Sequence, residues 1–80
     1  MKNERTMTVL IDNIDKVKRL TNIAMLLPFY VDAVSERWRV SASSLLGLLS
    51  LDVSKPIELR FDEENEDRVR LTFSEFEVKK

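Results

Sequence analysis

The chain of 80 residues is 44% hydrophobic and 34% charged, and its 13 Lys+Arg against 14 Asp+Glu leave a net charge of −1. This length supports one small core and a single domain over residues 1–80, and the charge balance argues against both compositional disorder and bulk polyanion binding. With no Cys and no His, disulfides, thiolate metal sites, a cysteine nucleophile and the commonest neutral-pH acid/base are removed, so most small-enzyme chemistry falls away and neither a metal nor a cofactor is expected.

Residues 6–11 place Met7, Val9 and Ile11 on one face at period two, which predicts a strand with one buried side. Asp12, Asn13 or Asp15 then offers a cap for a helix. In it Val17, Leu20, Ile23 or Ala24, and Leu27 recur at three- and four-residue spacing, and Pro28 stops it. Two further alternating stretches, 29–34 and 38–40, flank Ser35-Glu36-Arg37, predicting a hairpin with Phe29, Val31, Ala33, Trp38 and Val40 facing one core. The polar break 41–44 ends in serines suited to capping a compact helix over 45–50. Pro56 opens Ile57-Glu58-Leu59-Arg60-Phe61, the clearest strand pattern in the chain. The acidic run 62–67 precedes Val69, Phe73 and Phe76 on one helical stripe, so negative charge meets the positive end of a helix dipole. The order β-α-β-β-α-β-α predicts an α+β open-faced sandwich. Its four-stranded, mostly antiparallel sheet is covered on one face by three helices, and the other face is wet.

The apolar runs 23–31 and 45–51 are interrupted and too short to cross a bilayer, and residues 1–5 lack the apolar core of a signal peptide; a cytoplasmic protein with no membrane insertion is expected. Asp12 and Asp15 flank the first strand-to-helix junction, where helix capping accounts for both more simply than an anion or acyl-phosphate site. Lys16, Lys18 and Arg19, even with Tyr30 and Trp38 as aromatic surface, read as a solvated helix face, and no nucleic acid is expected as partner. The acidic run lacks the alternating ligands and central glycine of a calcium loop. The Leu-rich segment is the anomaly: Leu45, Leu46, Leu48, Leu49 and Leu51 cover nearly the whole circumference of a short helix, more than a core needs. Some of these leucines must be exposed, as a surface for protein partners, as a homodimer contact, or as extra core beneath a loop.

The stretch Val40-Ser41-Ala42-Ser43-Ser44-Leu45-Leu46-Gly47-Leu48-Leu49-Ser50-Leu51, followed by the Lys55-Pro56-Ile57-Glu58-Leu59 strand, resembles the regulatory-serine region of HPr. HPr is the phosphocarrier protein of the bacterial sugar phosphotransferase system, and the element order above is also that family's order. The resemblance implies an HPr-like fold and matches Ser44 to the serine that a dedicated kinase phosphorylates in many relatives. It implies also that the adjoining apolar helix docks that kinase and a transcriptional regulator. The same spacing matches Leu27 to the aromatic residue that usually ends the first helix. It lands the family's phosphoacceptor histidine on Asn13, its arginine on Asp15 and the following proline on Lys16. An amide nitrogen has its lone pair delocalised into the carbonyl, so Asn13 cannot take the histidine's role. In this the chain is similar to the catabolite-repression HPr variants, which lack the histidine and keep the serine, although those variants usually retain the arginine.

The expected function is therefore a non-catalytic, HPr-like regulatory or interaction protein, with Leu45, Leu46, Leu48 and Leu49 as partner surface and Ser44 as a phosphorylation switch. Its expected partners are a serine kinase, a transcriptional regulator or phosphotransferase components. The competing readings are a phosphocarrier with a non-histidine acceptor, Asp12 or Asp15, and a plain binding module unrelated to sugar transport.

Overall fold

The computed structural model describes residues 3–78. Strand β1 (Glu4–Val9) leads to helix α1 (Ile14–Leu26), and strands β2 (Asp32–Ser35) and β3 (Trp38–Ser41) form a hairpin. Helix α2 (Leu45–Leu49), strand β4 (Ile57–Asp62) and helix α3 (Glu66–Thr72) follow, with single 3₁₀ turns at Glu63–Asn65 and Ser74–Phe76. The strands form one sheet in the order β1-β4-β2-β3, every neighbouring pair antiparallel. This is the α+β open-faced sandwich that the element order implies.

Alternation decides which face is buried. Met7 and Val9 on β1, Ile57, Leu59 and Phe61 on β4, and Ala33 on β2 point to the same side. They share one core with Val17, Leu20 and Ala24 of α1, Leu48 of α2, and Val69, Phe73 and Phe76 at the C-terminal end. The carboxyl-rich run is not continuous α-helix: 63–65 make a 3₁₀ turn, α3 starts at Glu66, and its capping position, Asn65, makes no side-chain cap hydrogen bond. The acidic side chains meet cations as well as the helix dipole. Glu63 pairs with Arg5 at 3.3 Å, and Glu66 with Arg5 at 3.5 Å and Arg70 at 3.0 Å.

One expected core residue is misplaced. Trp38 has the correct phase, because it pairs with Ser35 on the same side as the Ala33–Val40 pair, yet it is 63% exposed. The pair that closes the hairpin stands at the end of the sheet, where no helix covers it. Phe29 precedes β2 and is only partly buried against the core. The hairpin turn itself lacks glycine, and Glu36 adopts a φ of 55°, the left-handed region that L side chains enter only at a cost.

The two sheet edges are treated differently. Beside β1, the Leu10 N–H donates to the Phe76 carbonyl at 2.9 Å and the Val78 N–H to the Thr8 carbonyl at 3.0 Å, so the C-terminal segment covers that edge. No such segment runs along β3 among the described residues.

On the wet face, opposite charges are arranged across the strands. Arg39 Nη2 donates to Glu4 at 2.6 Å and Arg39 Nε to Asp32 at 2.7 Å, while Arg60 lies 3.2 Å from Glu58 and 3.9 Å from Glu4. One guanidinium thus ties the outer strand β3 to the opposite edge strand β1. Val34, on the same face, is nearly buried beside its cross-strand neighbours Arg39 and Glu58, whose aliphatic stems shield it.

The hydrogen bond from Arg39 is the main cause holding the Glu4 carboxyl below its ordinary 4.5. A carboxyl depressed in the folded state binds fewer protons than in the unfolded chain, so its contribution is complete above pH 4.5 and is lost as pH falls through the depressed value. Thermal unfolding followed by circular dichroism should therefore show a Tm that falls below pH 4.5, and Glu4→Gln should flatten that fall. Asp12 and Asp52 contribute to the slope that remains in the variant, since they are also depressed, chiefly by hydrogen bonds from Lys16 and Ser54.

Candidate functional site

Two helix starts carry the residues singled out by the sequence. At the first, Asn13 has extended geometry (φ −143°, ψ 162°), and its Oδ1 accepts the Lys16 N–H at 2.9 Å while its carbonyl accepts the Val17 N–H at 3.1 Å. Asn13 is thus the working N-cap of α1, satisfying donors that a helix start otherwise leaves open. Asp12 lies 3.1 Å from Lys16 Nζ, and that hydrogen bond is the main cause lowering its carboxyl pKa. Asp15 stands exposed in the first turn, where its charge complements the helix dipole. The basic residues nearby are dispersed. Lys16 pairs with Asp12, Arg19 with Glu75 of the C-terminal 3₁₀ turn, and Lys18 faces the groove beside α2. Capping, pairing and dipole complementarity account for these side chains apart from Lys18.

At the second start, Ser44 is extended (φ −105°, ψ 110°) and its Oγ accepts the Gly47 N–H at 3.0 Å. The Ser44 carbonyl accepts the Leu48 N–H at 2.9 Å. Gly47 sits at a close approach: a Cβ there would lie 3.1 Å from Val40 Cβ and 3.1 Å from Ser44 Oγ, so a larger residue needs β3 or the cap to yield by a few tenths of an ångström.

That approach divides the leucines. Leu48 is 0% exposed and Leu51 is buried in the core, while Leu45 is half-buried against it. Leu46 is 81% exposed and Leu49 44%. The surface is therefore smaller than expected: Leu48 drops out, because Leu45, Leu48 and Leu51 recur at three-residue spacing on the side that meets the sheet, and a fully buried side chain touches no partner.

α1 packs alongside α2, and a shallow groove between them is lined by Lys18, Thr21, Asn22 and Met25 from α1 and by Ser43 and Leu45. Thr21 is buried there and donates its hydroxyl to the Val17 carbonyl at 2.9 Å. Met25, exposed at the rim, extends the apolar surface beyond α2. Sequence reasoning concentrated on the leucines and passed over Met25. Its position four residues after Thr21 and seven after Lys18 was the available signal, since those three lie along one helix flank.

Among the described residues no cluster of His, Cys, Asp and Glu is arranged to hold a metal ion, and no helix is long and apolar enough to cross a membrane. The chemistry offered by these two helix starts is hydroxyl, amide, carboxylate and thioether, next to exposed aliphatic surface. No protein-family model, curated protein or solved structure matches the chain.

The two classes of leucine make opposite predictions. Leu48→Ala should cost about 2–5 kcal/mol by leaving a cavity beneath α2, whereas Leu46→Ala should change stability by no more than about 0.5 kcal/mol. Urea unfolding monitored by circular dichroism measures both.

Proposed function

We propose that the chain is a non-catalytic, HPr-like regulatory or interaction protein of the bacterial cytoplasm, docking protein partners through α2 and switched by phosphorylation of Ser44. The observation that carries this reading is the exposure of Leu46 and Leu49 on a helix already anchored by Leu48. Hydrating large aliphatic side chains contributes nothing to the fold, and a partner that covers them recovers roughly 25 cal/mol for each Å² of apolar area removed from water. Met25 and Lys18 line a groove that reaches Leu45, the neighbour of Leu46 in sequence, so the proposed contact extends from α2 towards α1.

Ser44 supports a switch because it sits at the edge of that surface. A phosphate there adds about −1.5 to −2 charges next to Leu45 and Leu46, and its oxygens can still accept the Gly47 N–H that Oγ now accepts. The modification would therefore change how the surface is recognised without unwinding α2. Asn13, in the position matched to the family's phosphoacceptor histidine, is occupied as a cap and has no nucleophilic lone pair. With Asp15 and Lys16 in place of the family's arginine and proline, the charge presented at the α1 start differs from the family pattern. A serine kinase and a transcriptional regulator are the proposed partners, through contacts weighted toward the apolar surface.

Intact mass spectrometry discriminates the alternatives. Incubation with the serine kinase and ATP should add one phosphoryl group to the wild type and none to Ser44→Ala. Phosphoryl addition from phosphoenolpyruvate and Enzyme I, the protein that phosphorylates the histidine of HPr in the resembled family, would instead point to a carboxylate acceptor, Asp12 or Asp15, and would contradict the non-catalytic reading.

A further inference from the structure

We propose that the outer edge of β3 docks an extended, acidic segment of a partner protein as a fifth strand of the sheet. Backbone geometry supplies the first reason. The β2–β3 register pairs Ser35 with Trp38 and Ala33 with Val40, and the Ala42 N–H donates to the Val31 carbonyl at 2.9 Å. Even-numbered residues of β3 thus direct their backbone groups inward to β2, and Arg39 and Ser41 direct theirs outward. The Ser41 carbonyl accepts the Ser44 N–H at 3.1 Å. The Arg39 N–H and C=O and the Ser41 N–H make no backbone hydrogen bond among the described residues. These are the groups an added antiparallel strand engages.

The other edge of the sheet is closed by the chain itself, at residues 76–78, and this one is not. Beside the open edge stands Trp38, the only tryptophan of the chain, exposed although its phase is that of the core. A strand added here would carry its own apolar side chains over Trp38 and Val40.

Charge selects the occupant. Arg37 and Arg39 flank Trp38, and Arg37 makes no ion pair among the described residues, whereas Arg39 is held by Glu4 and Asp32 on the wet face. A second copy of the chain fits this edge poorly: two-fold pairing centred on Arg39 sets two guanidiniums opposite each other, and pairing centred on Trp38 sets Arg37 against the other copy's Arg39. Pairing centred on Val40 avoids that clash but leaves Arg37 unneutralised. A segment alternating carboxylate and β-branched residues sets a carboxylate against Arg37 on one face and covers Trp38 on the other. This surface is separate from Leu46 and Leu49 and does not depend on docking through α2.

The test uses a short capped peptide alternating Glu and Val, with a Lys–Val peptide of equal length as control. Saturable change in Trp38 fluorescence on adding the Glu–Val peptide, with slowed amide exchange at Arg39 and Ser41, is expected. Ser41→Pro, which removes an outward N–H, and Arg37→Glu, in the turn, should each weaken binding at least tenfold, while Leu46→Asp should leave it unchanged. Circular dichroism melts confirm that each variant is folded. No saturable change, equal binding of the two peptides, or undiminished binding by both folded edge variants would overturn the proposal. A Trp38 spectral shift that depends on the concentration of the protein alone would likewise overturn it, in favour of self-pairing.

Discussion

A sheet of four strands in a chain this short can be covered on one side only, and that constraint governs the rest of the molecule. β4 is its centre, paired with β1 on one side and β2 on the other. Its Ile57, Leu59 and Phe61 form the floor on which α1, α2 and α3 rest. Every core side chain is referred to that floor, and the opposite face must be stabilised by something other than a second layer. The ion pairs from Arg39 and Arg60 serve there, each worth little alone in water but linked across the sheet through Glu4, Asp32 and Glu58.

The shortest element shows how packing and surface are coupled. α2 has five residues, too few to persist without tertiary contacts. It is held by the Ser44 cap, by Leu48 in the core and by the close approach of Gly47 to Val40. Because the helix is fixed by one side, Leu46 and Leu49 have nowhere to go but outward. The contacts that anchor the helix also hold its outer leucines in one arrangement, which lowers the ordering cost of the proposed docking.

Much of this was legible from the residues because period two and period 3.6 are strong where one face is buried. Val9, Leu20, Ile57, Leu59 and Phe73 all fall on the expected side. Caps were expected at both helix starts because short polar side chains at a helix boundary have few other uses, and the structure selects Asn13 from Asp12, Asn13 and Asp15, and Ser44 from the terminal serines. Trp38 escaped because periodicity gives the direction of a side chain and not whether anything lies above it. Leu48 was grouped with its neighbours because a run of leucines carries no internal contrast, and only the approach of α2 to β3 separates the inner from the outer ones. The start of α3 was blurred for a related reason: a row of carboxylates suits a 3₁₀ turn, an N-terminal helical turn and an arginine-paired loop alike, and Arg5, which pairs with both Glu63 and Glu66, is distant from them in sequence.

In the proposed reading, a chain without histidine whose Asn13 caps the start of α1 acts by displaying a surface rather than by covalent chemistry. The most direct measurement is amide chemical-shift mapping of the isotope-labelled protein titrated with the serine kinase of the HPr family that it resembles. Changes concentrated in 45–49 and along the Lys18–Met25 flank of α1 are expected; no change, or changes centred on the charged face of the sheet at Glu58 and Arg60, would contradict docking through α2.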